Sequence, residues 1–219
     1  MNISIEGGPA FSHIHLDLEP GESIVAESDA MATMDADLDM QAELNGDFIT
    51  AILKKYLGGE SLFVSRFTNR TQRIRRLTLT QATPGEIRQI DLEGQSFCLQ
   101  PGAYIASMPG VKLGIEWAGF KSFIAREGLF RLRVSGHGTA FYGAYGCLIE
   151  KELDGQYIVD TSHLVAYDPG IKLNLQLAGG IFSSFFGGEG IVTRLEGKGK
   201  FIIQTRSVDG LVSWLNPKL

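Results

Sequence analysis

The block Pro109-Gly110-Val111-Lys112-Leu113, which runs through Ala118-Gly119 to Arg126-Glu127-Gly128-Leu129, returns as Pro169-Gly170-Ile171-Lys172-Leu173, through Ala178-Gly179 to Gly188-Glu189-Gly190-Ile191. Catalytic groups are normally needed once, whereas a structural joint is needed in every unit, so a recurring motif is first a packing feature. A weaker third copy precedes these two. Ile52-Leu53-Lys54-Lys55-Tyr56-Leu57-Gly58-Gly59-Glu60 matches Ile181-Phe182-Ser183-Ser184-Phe185-Phe186-Gly187-Gly188-Glu189 at every apolar position and at Gly-Gly-Glu. In the three copies bulky apolar residues stand at i, i+3 and i+4: Leu53, Tyr56, Leu57; Phe120, Phe123, Ile124; Phe182, Phe185, Phe186. That spacing predicts one face of a short helical turn, too short to be stable alone and therefore a plug held by packing.

Each plug leads into a run with β character, at Ser61–Phe67, Leu129–Val134 and Ile191–Leu195. Between them, Glu86–Leu92 and Ala32–Met40 alternate polar and apolar, as strands with one wet face do. Turn signals such as Glu19-Pro20-Gly21, Gln100-Pro101-Gly102 and Asp168-Pro169-Gly170 separate the runs. The 27 glycines against seven prolines fit many tight turns between short strands. These features predict a single all-β domain of three repeats, about 1–83, 84–143 and 144–219, with pseudo-threefold symmetry. Each unit is too small to bury a core alone, so the three share an interior.

Leu18-Glu19-Pro20-Gly21-Glu22-Ser23-Ile24-Val25-Ala26-Glu27-Ser28, Gly58-Gly59-Glu60-Ser61-Leu62-Phe63, Leu99-Gln100-Pro101-Gly102-Ala103-Tyr104-Ile105-Ala106 and the closing stretch from Gly188-Glu189-Gly190 to Gln204-Thr205-Arg206-Ser207 occur in this order. In these blocks, spread over nearly the whole chain, the sequence resembles the uncharacterised bacterial family related to the fungal "altered inheritance of mitochondria" (mitochondrial biogenesis) protein. The resemblance implies a TRAP-like (trp RNA-binding attenuation protein-like) double-stranded β-helix, or β-sandwich, built by duplication and inclined to self-associate. It supplies no catalytic residues, and a shared fold does not transmit RNA or tryptophan binding.

The net charge of −5 argues against a protein whose main task is gripping a nucleic-acid backbone. Two isolated cysteines, Cys98 and Cys147, are too few for a disulfide framework, and their apolar surroundings predict core positions in a reducing compartment. No window approaches the ~18 apolar residues of a membrane span, and the first residues lack a leader pattern, so a cytoplasmic location is expected.

Four constellations invite a chemical reading. Gly7-x5-His13-x-His15-x3-Glu19 fits the first half of a cupin metal signature, with two strand histidines on one face and Glu19 as the carboxylate ligand; the second half is missing. Asp35-x-Asp37-x-Asp39 has calcium-loop spacing, but Met40 stands where that loop needs glycine and Gly46 where it needs a glutamate. No Lys or Arg precedes Lys54, eleven carboxylates lie between Glu6 and Asp47, and Arg66, Arg70, Arg73, Arg75 and Arg76 then crowd together. This basic segment faces either an acidic protein partner or the chain's own acidic strands, and the second is the simpler expectation. Finally, Asn69-Arg70-Thr71, Gly136-His137-Gly138 and Gly197-Lys198-Gly199 align as hairpin tips, whose Arg70, His137 and Lys198 would form an anion site if they converged.

The leading expectation is a non-enzymatic, self-associating scaffold or binding protein that needs no cofactor. The first alternative is a metal-dependent cupin-like enzyme using His13, His15 and Glu19. The second is an RNA-binding module through Arg66 to Arg76.

Overall fold

The structure is a computed structural model that describes residues 1–44, 63–100, 102–117, 130–177 and 191–216. The three plugs, at Leu53, Tyr56 and Leu57, at Phe120, Phe123 and Ile124, and at Phe182, Phe185 and Phe186, lie outside the described residues. Among the described residues the chain is all-β apart from one short helix and a 3₁₀ turn. Its strands are β1 (Asn2–Glu6), β2 (His13–Leu18), β3 (Ser23–Glu27), β4 (Met31–Met34), β5 (Asp39–Leu44), β6 (Phe63–Thr68) and β7 (Arg75–Thr80). They continue with β8 (Ile87–Leu99), β9 (Tyr104–Ser107), β10 (Val111–Trp117), β11 (Phe130–Gly143), β12 (Leu148–Asp160), β13 (Leu164–Tyr167), β14 (Lys172–Leu177) and β15 (Ile191–Gln204). A 3₁₀ turn, Thr161–His163, precedes β13, and α1 (Val208–Leu215) follows β15.

Alternation decides which faces are buried. In β2 the side chains of Ile14, Leu16 and Leu18 point inward, leaving His13, His15 and Asp17 on the other face, and in β7 Leu77 and Leu79 do the same opposite Arg76, Thr78 and Thr80. One sheet has the order β1-β2-β7-β4. The larger sheet runs β12-β15-β13-β8-β11-β9-β3-β6-β5, with β10 on β11 and β14 on β15.

One backbone device occurs three times. The amide of Leu38 donates to Asp35 O, that of Val111 to Met108 O and that of Ile171 to Asp168 O, each at 3.0 Å. The amides of Asp35, Met108 and Asp168 donate in turn to Arg76 O at 3.0 Å, Thr139 O at 2.9 Å and Lys200 O at 2.9 Å. Leu38, Val111 and Ile171 are all buried, so each turn nails one apolar side chain into a core. The cores interlock. The cluster around Ile14, Leu16 and Phe67 takes in Ile87, Ile105, Ala106 and Phe141, and the cluster around Phe97 and Val134 takes in Leu148, Val165, Ala166 and Ile202.

Four details differ from the sequence reading. Ala32–Met40 is not one strand: it folds as the end of β4, a turn and the start of β5, and Met40 is exposed. Gly136-His137-Gly138 and Gly197-Lys198-Gly199 are not hairpin tips, because β11 and β15 run straight through them. Positive φ at these four glycines lets the strands pass; in β11 the pairing with β8 shifts register there, whereas the β12–β15 register is continuous. Cys147 is exposed, unlike the buried Cys98. The helix α1 is capped by Ser207, whose hydroxyl accepts from the Gly210 amide, and Asp209 in its first turn suits the helix dipole.

Burial makes the interior sensitive to alkali. It pushes the Tyr142 phenol up to about 12, a shift that the Arg88 charge opposes and the Glu150 and Glu86 charges assist. A phenol whose folded pKa is raised contributes stability in full below the unfolded value of about 10 and loses it as pH rises toward the folded value. Tyr142→Phe is therefore expected to flatten the fall in melting temperature between about pH 10 and about 12. Parallel melting curves for both proteins across that window would contradict the assignment.

Candidate functional site

The outer face of the smaller sheet gathers the chain's histidine pair. Antiparallel pairing puts Glu6 opposite His13 and Ser4 opposite His15 across β1 and β2, while β7 puts Thr80 beside His13 and Thr78 beside His15. His13 Nε2 lies 4.0 Å from Glu6 Oε2, and the two imidazole rings meet edge to face at 5.1 Å between centroids. One ligand atom from each of Glu6, His13 and His15 lies within 4.8 Å of the others. Two hydroxyls brace the group: Ser4 Oγ donates to Glu6 Oε1 at 3.0 Å, and Thr78 Oγ1 is 3.0 Å from His15 Nδ1.

The carboxylate here is Glu6, not Glu19. Glu19 follows the far end of β2, six residues from His13, and an extended strand covers roughly 20 Å over that distance. Its amide instead donates to Glu22 Oε2 at 2.8 Å across the turn. The usable signal was the hairpin: Glu6 and His13 flank Gly7-Gly8-Pro9 and the loop after it, and strand alternation brings such flanking residues to one face.

Arg70, Arg75 and Arg76 are engaged by acids that precede Lys54. Arg70 Nε pairs with Asp39 at 2.7 Å, Arg75 pairs with Asp37, and Arg76 Nε lies 3.6 Å from Asp17, while Asp35 Oδ2 accepts the Arg76 amide at 3.0 Å. By backbone register Arg66 stands opposite Val25 of β3 and Gln41 of β5, and the Arg73 main-chain carbonyl accepts from Asn69 Nδ2 at 2.7 Å. The basic segment thus faces the acidic N-terminal strands of its own chain, and the three aspartates hold arginines. Arg70, His137 and Lys198 lie on three different elements. They belong to the β6–β7 loop, β11 and β15, and each stands beside its own acid: Arg70 by Asp39, His137 opposite Glu93, Lys198 3.8 Å from Asp154. Among the described residues no contact joins the three.

Register reveals a second kind of site, at strand edges. β9 pairs on one side with β11 and on the other with β3, through Val25↔Ser107 and Ala26↔Ala106. β13 pairs with β15 and with β8, through Ala166↔Leu99 and Tyr167↔Cys98. β4 sits on β7 in the corresponding register, Thr33↔Thr78 matching Ala106↔Phe141 and Ala166↔Ile202, but its other edge carries no ladder among the described residues. Among the described residues the far half of β12 likewise pairs only with β15. Apolar side chains are exposed at both places: Met31 at 36%, Tyr157 at 43% and Ile158 at 55%.

Comparison with known proteins fits this geometry. The family described as mitochondrial biogenesis AIM24 matches residues 3–206, which take in the histidine face and both open edges. The chain belongs to the mitochondrial biogenesis AIM24 family. An uncharacterized protein of Streptococcus pyogenes serotype M6 is 26% identical over 218 residues, covering 95% of this chain and 87% of the relative. A crystal structure of another Streptococcus pyogenes protein superposes with a TM-score of 0.80 at 25% identity, covering 100% of this chain and 99% of that one. The AIM24 match ends at residue 206, before α1. No helix among the described residues of this AIM24 member is long and apolar enough to cross a membrane.

Proposed function

We propose that this AIM24 family member is a non-enzymatic scaffold that self-associates head to tail, an arc of three TRAP-like double-stranded β-helix units related by pseudo-threefold symmetry. The units correspond to about 1–83, 84–143 and 144–219. The observation that carries the reading is the joint made twice among the described residues, β9 on β3 and β13 on β8, with no described strand completing it at β4 and β12. A joint whose halves sit at opposite ends of one molecule is heterologous, and copies joined by it close into a ring or grow into a filament. An unpaired strand with exposed apolar side chains is a ready template for such addition. By register, Thr33 of one copy stands opposite Asp160 of the next, and Met34 opposite Val159. Cys98 and Cys147 form no disulfide, which suits a reducing, cytoplasmic compartment.

Native mass spectrometry over a range of protein concentrations tests the reading. Multiples of the 23.9 kDa chain are expected, and charges placed on the open edges by Met31→Lys with Ile158→Lys are expected to weaken association at least tenfold. A chain that stays single at high concentration, or an assembly indifferent to both lysines, would overturn it.

A further inference from the structure

We propose that Glu6, His13 and His15 form a binding site for a divalent transition-metal ion of the zinc type. The site needs no second copy, since all three ligands come from the β1–β2 hairpin of one chain.

The donor set is the first support. Two imidazole nitrogens and one carboxylate oxygen suit zinc and its first-row neighbours, and are poorly matched to calcium or magnesium, which favour oxygen alone. Spacing is the second. Ligands bound at about 2.0–2.2 Å in a tetrahedral site stand roughly 3.4 Å from one another. Here the donor atoms lie within 4.8 Å, with His13 Nε2 and Glu6 Oε2 at 4.0 Å, so rotations of half-exposed side chains of about 1 Å close the site without moving the strands.

The bracing hydroxyls are the third support. A metal-bound imidazole normally engages its other nitrogen in a hydrogen bond that fixes the ring and its tautomer. Thr78 Oγ1 occupies that place at His15 Nδ1, which leaves Nε2 as the ligand atom. Ser4 Oγ does the same for the carboxylate, holding Oε1 so that Oε2 is directed at His13. Three strands thus contribute to an arrangement that chance surface histidines do not require.

Position is the fourth. By ladder register Thr78 and His13 occupy the places of Phe141 and Ile87 in the middle segment and of Ile202 and Leu148 in the last, all of which are packed into a neighbouring core. On the first segment these places hold polar, metal-competent residues facing solvent. Three protein ligands leave a fourth position for water, the coordination pattern of an open rather than a closed zinc site.

The test uses the full chain without a polyhistidine tag, titrated with cobalt(II) as the spectroscopic probe and with zinc(II) by calorimetry. One ion per chain is expected, with visible d–d absorption for cobalt that zinc abolishes. His13→Ala, His15→Ala and Glu6→Gln are each expected to weaken zinc binding at least tenfold, and Thr78→Val about tenfold through the lost brace. Glu19→Gln is expected to leave binding unchanged. All five side chains sit on the solvent face or in an exposed turn, and an unaltered melting temperature shows that each variant is folded. Absence of a saturable cobalt signal up to about 1 mM would overturn the proposal. So would binding that survives both histidine substitutions.

Discussion

Gly85→Val is expected to cost about 4 kcal/mol or more, enough to leave much of the protein unfolded at growth temperature. Gly85 lies where the connection into β8 crosses the connection into β12. A Cβ built there would fall 1.9 Å from Ala144 O and 2.7 Å from both Gly146 N and Gly146 O. All three are backbone atoms, so no side chain can swing aside. The crossing is pinned by Gly146 N to Pro84 O at 3.0 Å, Glu86 N to Gly146 O at 2.8 Å and Ala144 N to Glu86 O at 3.1 Å. Separating the two segments breaks these bonds, at about 1 kcal/mol each, and pulls the Glu86 carboxylate away from the Leu148 amide it accepts at 2.7 Å. The damage spreads because Ile87 and Leu148, the next residues on either side, are buried in two different cores. Gly170→Ala is the matched comparison: its Cβ meets nothing within 4 Å, and its effect is expected within about 1 kcal/mol of zero. Thermal melts of the two variants, read against each other, decide the matter. Similar melting temperatures would show that the crossing relaxes freely.

The contrast between these glycines shows what the sequence could carry. Gly110 and Gly170 sit in the same Pro-Gly turn, yet a Cβ at Gly110 would lie 2.2 Å from His137 O while one at Gly170 meets nothing. The difference arises because β11 shifts register between Ser135 and His137, bringing the His137 amide to Gly110 O at 3.1 Å, an event set by strand pairing across the sheet. Local pattern was enough for the runs of β6, β11 and β15, for the β character of the described residues, and for the acidic strands that receive Arg70, Arg75 and Arg76. It misread glycine-flanked cations as turn tips, because positive φ serves a turn and a strand irregularity equally well. The histidine face was half legible: alternation put His13 and His15 together, but the choice of Glu6 over Glu19 depends on which strand lies alongside β2. Thr78, sixty-three positions from His15, could be found only from the β2–β7 ladder.

Asn69→Ala is the second substitution with a large expected effect, about 2–4 kcal/mol. In the middle and last segments a long strand runs unbroken past Gly136 and Gly197, both at positive φ. The first segment has Asn69 at that place, and the chain divides there into β6 and β7. The fully buried asparagine side chain does what strand continuity does elsewhere. Its Nδ2 donates to Leu18 O at 2.8 Å and to Arg73 O at 2.7 Å, while Oδ1 accepts from the Thr71 amide at 3.0 Å and the Thr71 hydroxyl at 2.8 Å. Its own backbone exchanges bonds with the turn before β3, Asn69 N to Glu22 O at 2.9 Å and Gly21 N to Asn69 O at 2.7 Å. Truncation to alanine leaves the buried Leu18 carbonyl without this partner and frees the loop that carries Arg70. Water can replace the bonds to Arg73 and Thr71 at the surface but not readily the one at Leu18, which is why the cost stays near that of one or two buried unsatisfied groups. Arg70→Ala, one residue on, removes only an exposed ion pair with Asp39 and is expected to cost under about 1 kcal/mol. Urea unfolding of both variants separates a stitched loop from a charged one: equal midpoints would mean that the ion pair, and not the asparagine, holds the break between β6 and β7 in place.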